Sequence, residues 1–156
     1  MIRSRIIAAI VWVWLVMGFK LEAATLHEAV AMVESSGRSW VMGDGGEAAG
    51  LLQIHLGALA DVNKRFLPKG RKPYTSADRF DSVKSLEIFE LYTEGWLGVK
   101  GLPPGMDRDE AKARTWNGGP NGPRKDATLK YWRRVLLQKE LLAGQFARPN
   151  KTRRKS

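Results

Sequence analysis

The sequence predicts a single, mainly helical domain of about five helices with at most a small β-hairpin. Apolar residues recur three or four positions apart in several separate segments, and helix-start patterns precede some of them. The chain has 156 residues, of which 44% are hydrophobic, with six Trp and no Cys. This is enough apolar material for one core without disulfides, and it excludes a disordered chain, a thiolate metal site and a Cys nucleophile.

The first 24 residues predict an export signal. Two arginines within residues 1–5 precede a run of 14 apolar residues, 6–19, and small residues follow at 23–24. This order is typical of a secretory signal peptide, whereas a bilayer-spanning helix needs about 20 apolar residues. We therefore expect export to the periplasm or the extracellular space, with an uncleaved membrane anchor as the alternative.

Residues 25–144 form the predicted folded domain. Thr25 and Glu28 are spaced as a capping box for the first helix, and Gly37 is a natural residue to follow its end. Residues 38–50 are rich in Gly and Ala and predict a short hairpin or an irregular loop. The other four helices are predicted over about 56–66, 81–97, 107–116 and 128–142.

The C-terminal segment, residues 145–156, follows Gly144, which is predicted to stop the last helix. It contains five Lys or Arg and no acid, and we interpret it as a solvated basic tail. The whole chain carries a formal net charge of +10, which favours polyanionic partners. Because the chain is expected to be exported, we expect its partner to be an anionic cell-wall or membrane surface rather than nucleic acid. We expect the protein to be a monomer.

Three short strings interrupt the helical patterns with polar residues: Glu34-Ser35-Ser36-Gly37, Gly50-Leu51-Leu52-Gln53-Ile54 and Trp116-Asn117-Gly118-Gly119. Glu34 lies at the predicted C-terminus of the first helix, where the helix dipole and partial burial both favour the protonated carboxyl. Gln53 is a lone amide in an apolar run and needs a hydrogen-bond partner. Trp116 offers an aromatic face for a sugar. A surface Glu and a Gly-capped helix end are the ordinary alternatives.

The order and spacing of these strings resemble the lysozyme-like superfamily, in particular its soluble lytic transglycosylases and goose-type lysozymes. Their pattern is Glu-Ser, Gly-Leu-Met-Gln-Ile and Tyr-Asn-Ala-Gly or Tyr-Asn-Gly-Gly. The resemblance extends from Leu26 to about Leu142 and implies an α+β lysozyme-like fold around a substrate cleft. It also implies cleavage of the β-1,4 bond between N-acetylmuramic acid and N-acetylglucosamine in peptidoglycan glycan strands.

The resemblance assigns roles to individual residues. Glu34 matches the general acid/base, and Gln53 and Asn117 match the cleft amides. We add Ser35 and Trp116 as substrate-binding residues. Trp116 stands where the family has Tyr, which removes a hydroxyl near the acid, and we expect Tyr131 to supply one from the last helix.

The resemblance leaves the mechanism open. A lytic transglycosylase needs the single acid/base, whereas a hydrolase usually has a second carboxylate. Asp44 and Glu47 are the candidates, although Asp44 also suits a turn before Gly45. We favour transglycosylation, with a hydrolytic lysozyme or a non-catalytic wall-binding module as alternatives. His27 and His55 are 28 positions apart without a ligand motif, so we expect no metal and no cofactor.

Overall fold

The computed structural model describes residues 25–146. The predicted export segment, 1–24, and residues 147–156 of the predicted basic tail lie outside this range. Among the described residues, none of the helices combines the length and the apolarity that a membrane span requires.

The described chain is mainly helical with a small three-stranded antiparallel sheet, as the sequence predicts. The helices are α1 (Leu26–Ser35), α2 (Leu56–Asp61), α3 (Ser82–Lys100), α4 (Arg108–Gly118) and α5 (Leu129–Phe146), and the strands are β1 (Met42–Gly43), β2 (Ala48–Ala49) and β3 (Ile54–His55). Helix α2 continues as a π-helical segment, Val62–Phe66, so the two together cover the predicted second helix. Short 3-10 turns occupy Asp44–Gly46, Ser76–Phe80, Gly122–Arg124 and Asp126–Thr128.

Side-chain caps determine where three of the helices begin. The Thr25 hydroxyl accepts a hydrogen bond from the Glu28 amide, and the Glu28 carboxylate accepts one from the Thr25 amide, which is the predicted capping box. Asp81 caps α3 and Asp107 caps α4, each accepting hydrogen bonds from two amides of the first turn.

Two helix ends differ from the predicted ones. Helix α3 extends to Lys100, because its stop is Gly101 with φ 75°. Helix α5 continues through the predicted stop Gly144 to Phe146. A glycine inside a helix costs only about 1 kcal/mol relative to alanine, so Gly144 alone does not end the helix.

One apolar core joins all the major elements. Val30 of α1, Ile54 of β3, Phe89 of α3, Ala113 of α4 and Val135 of α5 all have 0% exposed surface. Strand β2 pairs with both neighbours, with Met42 opposite Ala49 and Ala49 opposite Ile54. Along the chain the sheet lies between α1 and α2, and its residues Ala48 and His55 line the cavity of the candidate site.

Candidate functional site

A cavity of about 640 Å³ lies between the end of α1, the sheet, the start of α2, and helices α3 and α4. Its lining combines residues that the sequence singled out with others that it did not, namely Glu34, Asp44, Ala48, Gln53, His55, Gly57, Ala58, Tyr92, Trp116 and Asn117. The structure therefore brings the acid, both amides and one of the two further carboxylates to a single cavity.

Glu34 lies in the last turn of α1 because the helix ends immediately after it. Ser36 adopts the left-handed conformation (φ 56°), and the Gly37 amide donates to the Ala31 carbonyl at 3.1 Å. Burial of the carboxyl group raises the pKa of Glu34 above its ordinary value, and the neighbouring Asp44 adds to this. The hydroxyl of Tyr131 and the charges of Arg134 and His55 act in the opposite direction without cancelling the rise.

Tyr131 reaches Glu34 from α5. Its hydroxyl donates to the Glu34 carboxyl Oε1 at 2.6 Å, and the Tyr131 side chain is only 7% exposed. Burial and the adjacent Glu34 raise the pKa of Tyr131 well above its usual value, so the phenol keeps its proton. Tyr131 is therefore a fixed donor that orients the acid, although it does not line the cavity itself.

The Gly-Leu-Leu-Gln-Ile segment positions the amide of Gln53. The Gln53 Nε2 donates to the carbonyls of Gly50 (2.9 Å) and Val41 (3.2 Å), and the residue adopts a left-handed backbone with φ 50°. A Cβ on Gly43 would lie 2.3 Å from the Gln53 Oε1, so a glycine leaves space for this amide. The side chain of this half-buried residue is thus fixed by backbone contacts, which provide the hydrogen-bond partners that the sequence required.

Gly50 is required by a close approach that the sequence did not reveal. It has φ 80°, and a Cβ there would lie 1.7 Å from the carbonyl oxygen of Arg79. Arg79 itself is 3% exposed, and its guanidinium donates to the carbonyls of Glu47 (2.8 Å) and Ile54 (2.9 Å). It therefore ties the sheet to the turn before α3. The Thr75–Asp78 capping-box spacing marks that turn in the sequence, but nothing marks the arginine.

Trp116 connects α4 to the same segment. Its indole Nε1 donates to the Leu52 carbonyl at 3.2 Å. Its ring packs against Phe89 with centroids 5.0 Å apart and meets Tyr92 edge-on at 5.7 Å. Core packing accounts for the position of this half-buried side chain, and its predicted sugar-stacking role stays a prediction. Asn117, the next residue, is exposed on the cavity.

Ser35, predicted to bind substrate, is 4% exposed and does not line the cavity. Its hydroxyl donates to the carbonyl of Leu51 at 2.7 Å and accepts from the Arg38 amide at 3.1 Å. Ser35 follows Glu34 directly on α1, so its side chain points away from the cavity and into the protein interior. There its contacts join α1 to the Gly-Leu-Leu-Gln-Ile segment.

The structure separates the two candidates for a second carboxylate. Asp44 lines the cavity, and its Oδ2 lies 3.0 Å from the Nε2 of His55 on β3. Glu47 is exposed and does not line the cavity. Its backbone carbonyl accepts from Arg79, and its backbone amide donates to the Asp44 carbonyl at 3.3 Å. Asp44 also forms the predicted turn, since it begins the 3-10 segment Asp44–Gly46. Within residues 25–146, no group of three or more His, Asp or Glu side chains is arranged to hold a metal.

Comparisons with known proteins give one match. No family model and no curated protein matches the chain. A chain from the crystal structure of Aeromonas hydrophila PliI in complex with Meretrix lusoria lysozyme is similar, with a TM-score of 0.56 and 24% sequence identity. The match covers 70% of this chain and 84% of that chain. At this identity it concerns the fold alone, so membership of the lysozyme-like superfamily stays a prediction.

Proposed function

We propose that this chain is an exported enzyme that cleaves the β-1,4 bond between N-acetylmuramic acid and N-acetylglucosamine in peptidoglycan. The observation that supports this best is Glu34, a carboxyl group with a raised pKa on a cavity, held by the Tyr131 hydroxyl at 2.6 Å. Carboxylic acids kept protonated by burial are the usual general acids of glycosidic bond cleavage. Gln53 and Asn117 supply amides on the same cavity for sugar hydroxyl and N-acetyl groups.

We favour lytic transglycosylation with Glu34 as the only acid/base. Protonated Glu34 gives its proton to the glycosidic oxygen as the bond to the muramic acid C1 breaks. The resulting carboxylate then takes the proton of the 6-hydroxyl of that same sugar as its oxygen attacks C1. The product is a 1,6-anhydro sugar, no water is consumed, and Glu34 ends protonated. Tyr131 holds the carboxylate in place between the two proton transfers.

Hydrolysis is the second candidate, and the position of Asp44 is what favours it. Asp44 lies on the same cavity as Glu34, so its carboxylate is placed to accept a proton from an attacking water. The solvent exposure of Asp44 argues against a role as the base in hydrolysis. The Asp44 side chain is 70% exposed and is paired with His55, which is 53% exposed. A pair this exposed is equally suited to stabilising the turn alone.

Mass spectrometry of digested peptidoglycan tests both the activity and the mechanism. Wild-type protein is expected to release 1,6-anhydromuropeptides, which are lighter by one water than hydrolytic products. Glu34→Gln is expected to lower the rate by about 10²–10⁴-fold, because the amide cannot donate and regain a proton. Glu140→Gln is the matched control, since Glu140 is an exposed residue of α5 that does not line the cavity.

The outcomes separate the alternatives. Products that end only in reducing N-acetylmuramic acid would make the enzyme a hydrolase, and Asp44→Asn would then be expected to abolish turnover. Binding to walls with no product from wild-type protein would indicate a non-catalytic wall-binding module. Full activity in a folded Glu34→Gln protein would refute the assigned site.

A further inference from the structure

Three cations on α5 form an exposed group that we call the α5 basic patch: Lys130, Arg133 and Arg134. Among residues 25–146, no carboxylate lies within ion-pair distance of any of the three. Some cations elsewhere have carboxylate partners. Lys112, for example, contacts both Glu90 and Glu94. The α5 basic patch therefore carries uncompensated positive charge.

The local electrostatics make this patch unfavourable in the free protein. Lys130 lies in the first turn of α5, where the helix dipole is positive and acids rather than bases are stabilising. Residues 129–139 contain no Asp or Glu. Like charges spaced three or four residues apart on a helix also repel one another. An anionic ligand would remove both costs.

The patch begins beside the proposed acid. Arg134 donates from Nη2 to the Val33 carbonyl at 3.3 Å, one residue before Glu34. Tyr131, one helical turn earlier on α5, reaches Glu34 itself. This contact engages one of the five N–H donors of the Arg134 guanidinium, and the others remain available for a bidentate carboxylate contact.

We propose that the α5 basic patch binds carboxylates of the peptide substituents on a glycan strand held in the cavity. This rests on the proposed function. In a peptide-bearing strand the lactyl carboxyl group of N-acetylmuramic acid is in the amide bond to the peptide, so the anionic groups close to the scissile bond are those of the peptides. Nucleic acid is a weaker candidate, because a duplex carries one phosphate charge per about 1.7 Å of its axis and three cations would neutralise only a few of these charges.

The test is a triple variant, Lys130→Gln with Arg133→Gln and Arg134→Gln, assayed on two substrates. One is soluble peptide-bearing glycan. The other is the same glycan stripped of its peptides by an amidase, with the lactyl carboxylates that the amidase exposes then converted to neutral methylamides. On the peptide-bearing substrate at low salt, the variant is expected to lose about 3- to 100-fold in kcat/KM, mostly through KM, as for three exposed ion pairs. The loss of the Arg134 charge also raises the pKa of Glu34, and it does so for both substrates. The inference is therefore measured by the ratio of kcat/KM on the peptide-bearing glycan to kcat/KM on the stripped glycan. This ratio should fall in the variant at low salt and return to the wild-type value at high salt.

The matched control is Lys64→Gln with Lys69→Gln and Lys72→Gln, which removes the same charge from exposed residues that do not line the cavity. It should behave as wild type on both substrates. An equal loss on both substrates by the patch variant, or the same loss in the control, would overturn the inference. Loss of duplex DNA binding without loss of peptide-bearing glycan binding would also overturn it.

Direct binding keeps this test separate from that of the proposed function. Co-sedimentation of wild-type protein and both triple variants with insoluble peptidoglycan, before and after the same amidase and methylamide treatment, measures the peptide contribution without any turnover. If wild-type protein cleaves neither substrate, the proposed function fails. The inference still stands only if the α5 variant alone loses the preference for peptide-bearing material.

Discussion

Tyr131→Phe removes the single hydroxyl that contacts Glu34 while keeping the ring that fills its place in the core. The lost hydrogen bond is 2.6 Å long, connects two residues 97 positions apart and stabilises the ionised carboxylate. The pKa of Glu34 is already raised by burial, and Tyr131 opposes that rise. The variant should therefore raise the pKa of Glu34 further, so that the acid stays protonated to higher pH.

The size of the effect follows from the kind of bond. A hydrogen bond to a charged group contributes about 1.5–3 kcal/mol. At about 1.4 kcal/mol per factor of ten, its loss would shift the balance between carboxylic acid and carboxylate by about ten- to a hundredfold. The alkaline limb of the kcat/KM profile reports loss of the acid proton, so this limb should move to higher pH.

Titration of Glu34 by NMR, with the side-chain carboxyl carbon as the probe, measures the shift without relying on activity. Tyr74→Phe is the matched control, because Tyr74 donates to Glu87 at the same distance of 2.6 Å but does not line the cavity. Burial and Glu87 raise the pKa of Tyr74 to about 12, so it too remains a donor. An unchanged or lowered Glu34 titration in folded Tyr131→Phe protein would refute the reasoning.

Three further predictions concern stability. Glu34→Gln should raise the free energy of unfolding at pH values above the folded-state pKa of Glu34, where the wild-type protein must bury a carboxylate. The gain should vanish below the ordinary Glu pKa of 4.5, because the carboxyl group is then protonated in both the folded and the unfolded state. Denaturant melts at pH 4 and 8 measure the difference. Gly50→Ala should destabilise the protein by more than about 2 kcal/mol, since the new methyl group overlaps the Arg79 carbonyl and the backbone is left-handed. Gly98→Ala, which has open space around it in a helix, should stabilise the protein by about 0.5–1 kcal/mol in parallel thermal melts. Trp116→Phe should cost about 1–3 kcal/mol by leaving the Leu52 carbonyl without its donor, and equal melting curves for variant and wild type would contradict this.

The residues that line the cavity were partly predictable from the sequence. Glu34, Gln53 and Asn117 came from strings that interrupt helical patterns, and all three line it. Ser35 and Glu47 were selected by the same proximity in sequence, yet neither does. Neighbours along a helix end or a hairpin face different directions, and spacing alone cannot say which of them points into a cavity.

The sequence by itself determined where three of the helices begin. Thr25 with Glu28, Asp81 and Asp107 act on amides two or three residues away, so each cap is contained in a few consecutive residues. The alternation of apolar positions likewise determined a mainly helical chain around one core. These features are local, and no distant residue has to be known to recognise them.

Only the tertiary structure decided which distant groups meet. The Tyr131 hydroxyl reaches Glu34 across 97 residues, and the carbonyl of Arg79 leaves space at Gly50 for nothing larger than hydrogen. The cations of α5 meet the end of α1 through Arg134 and Val33. Such contacts depend on how whole helices pack against one another. That packing is the result of many small apolar contacts throughout the core, and no short segment of the sequence contains them all.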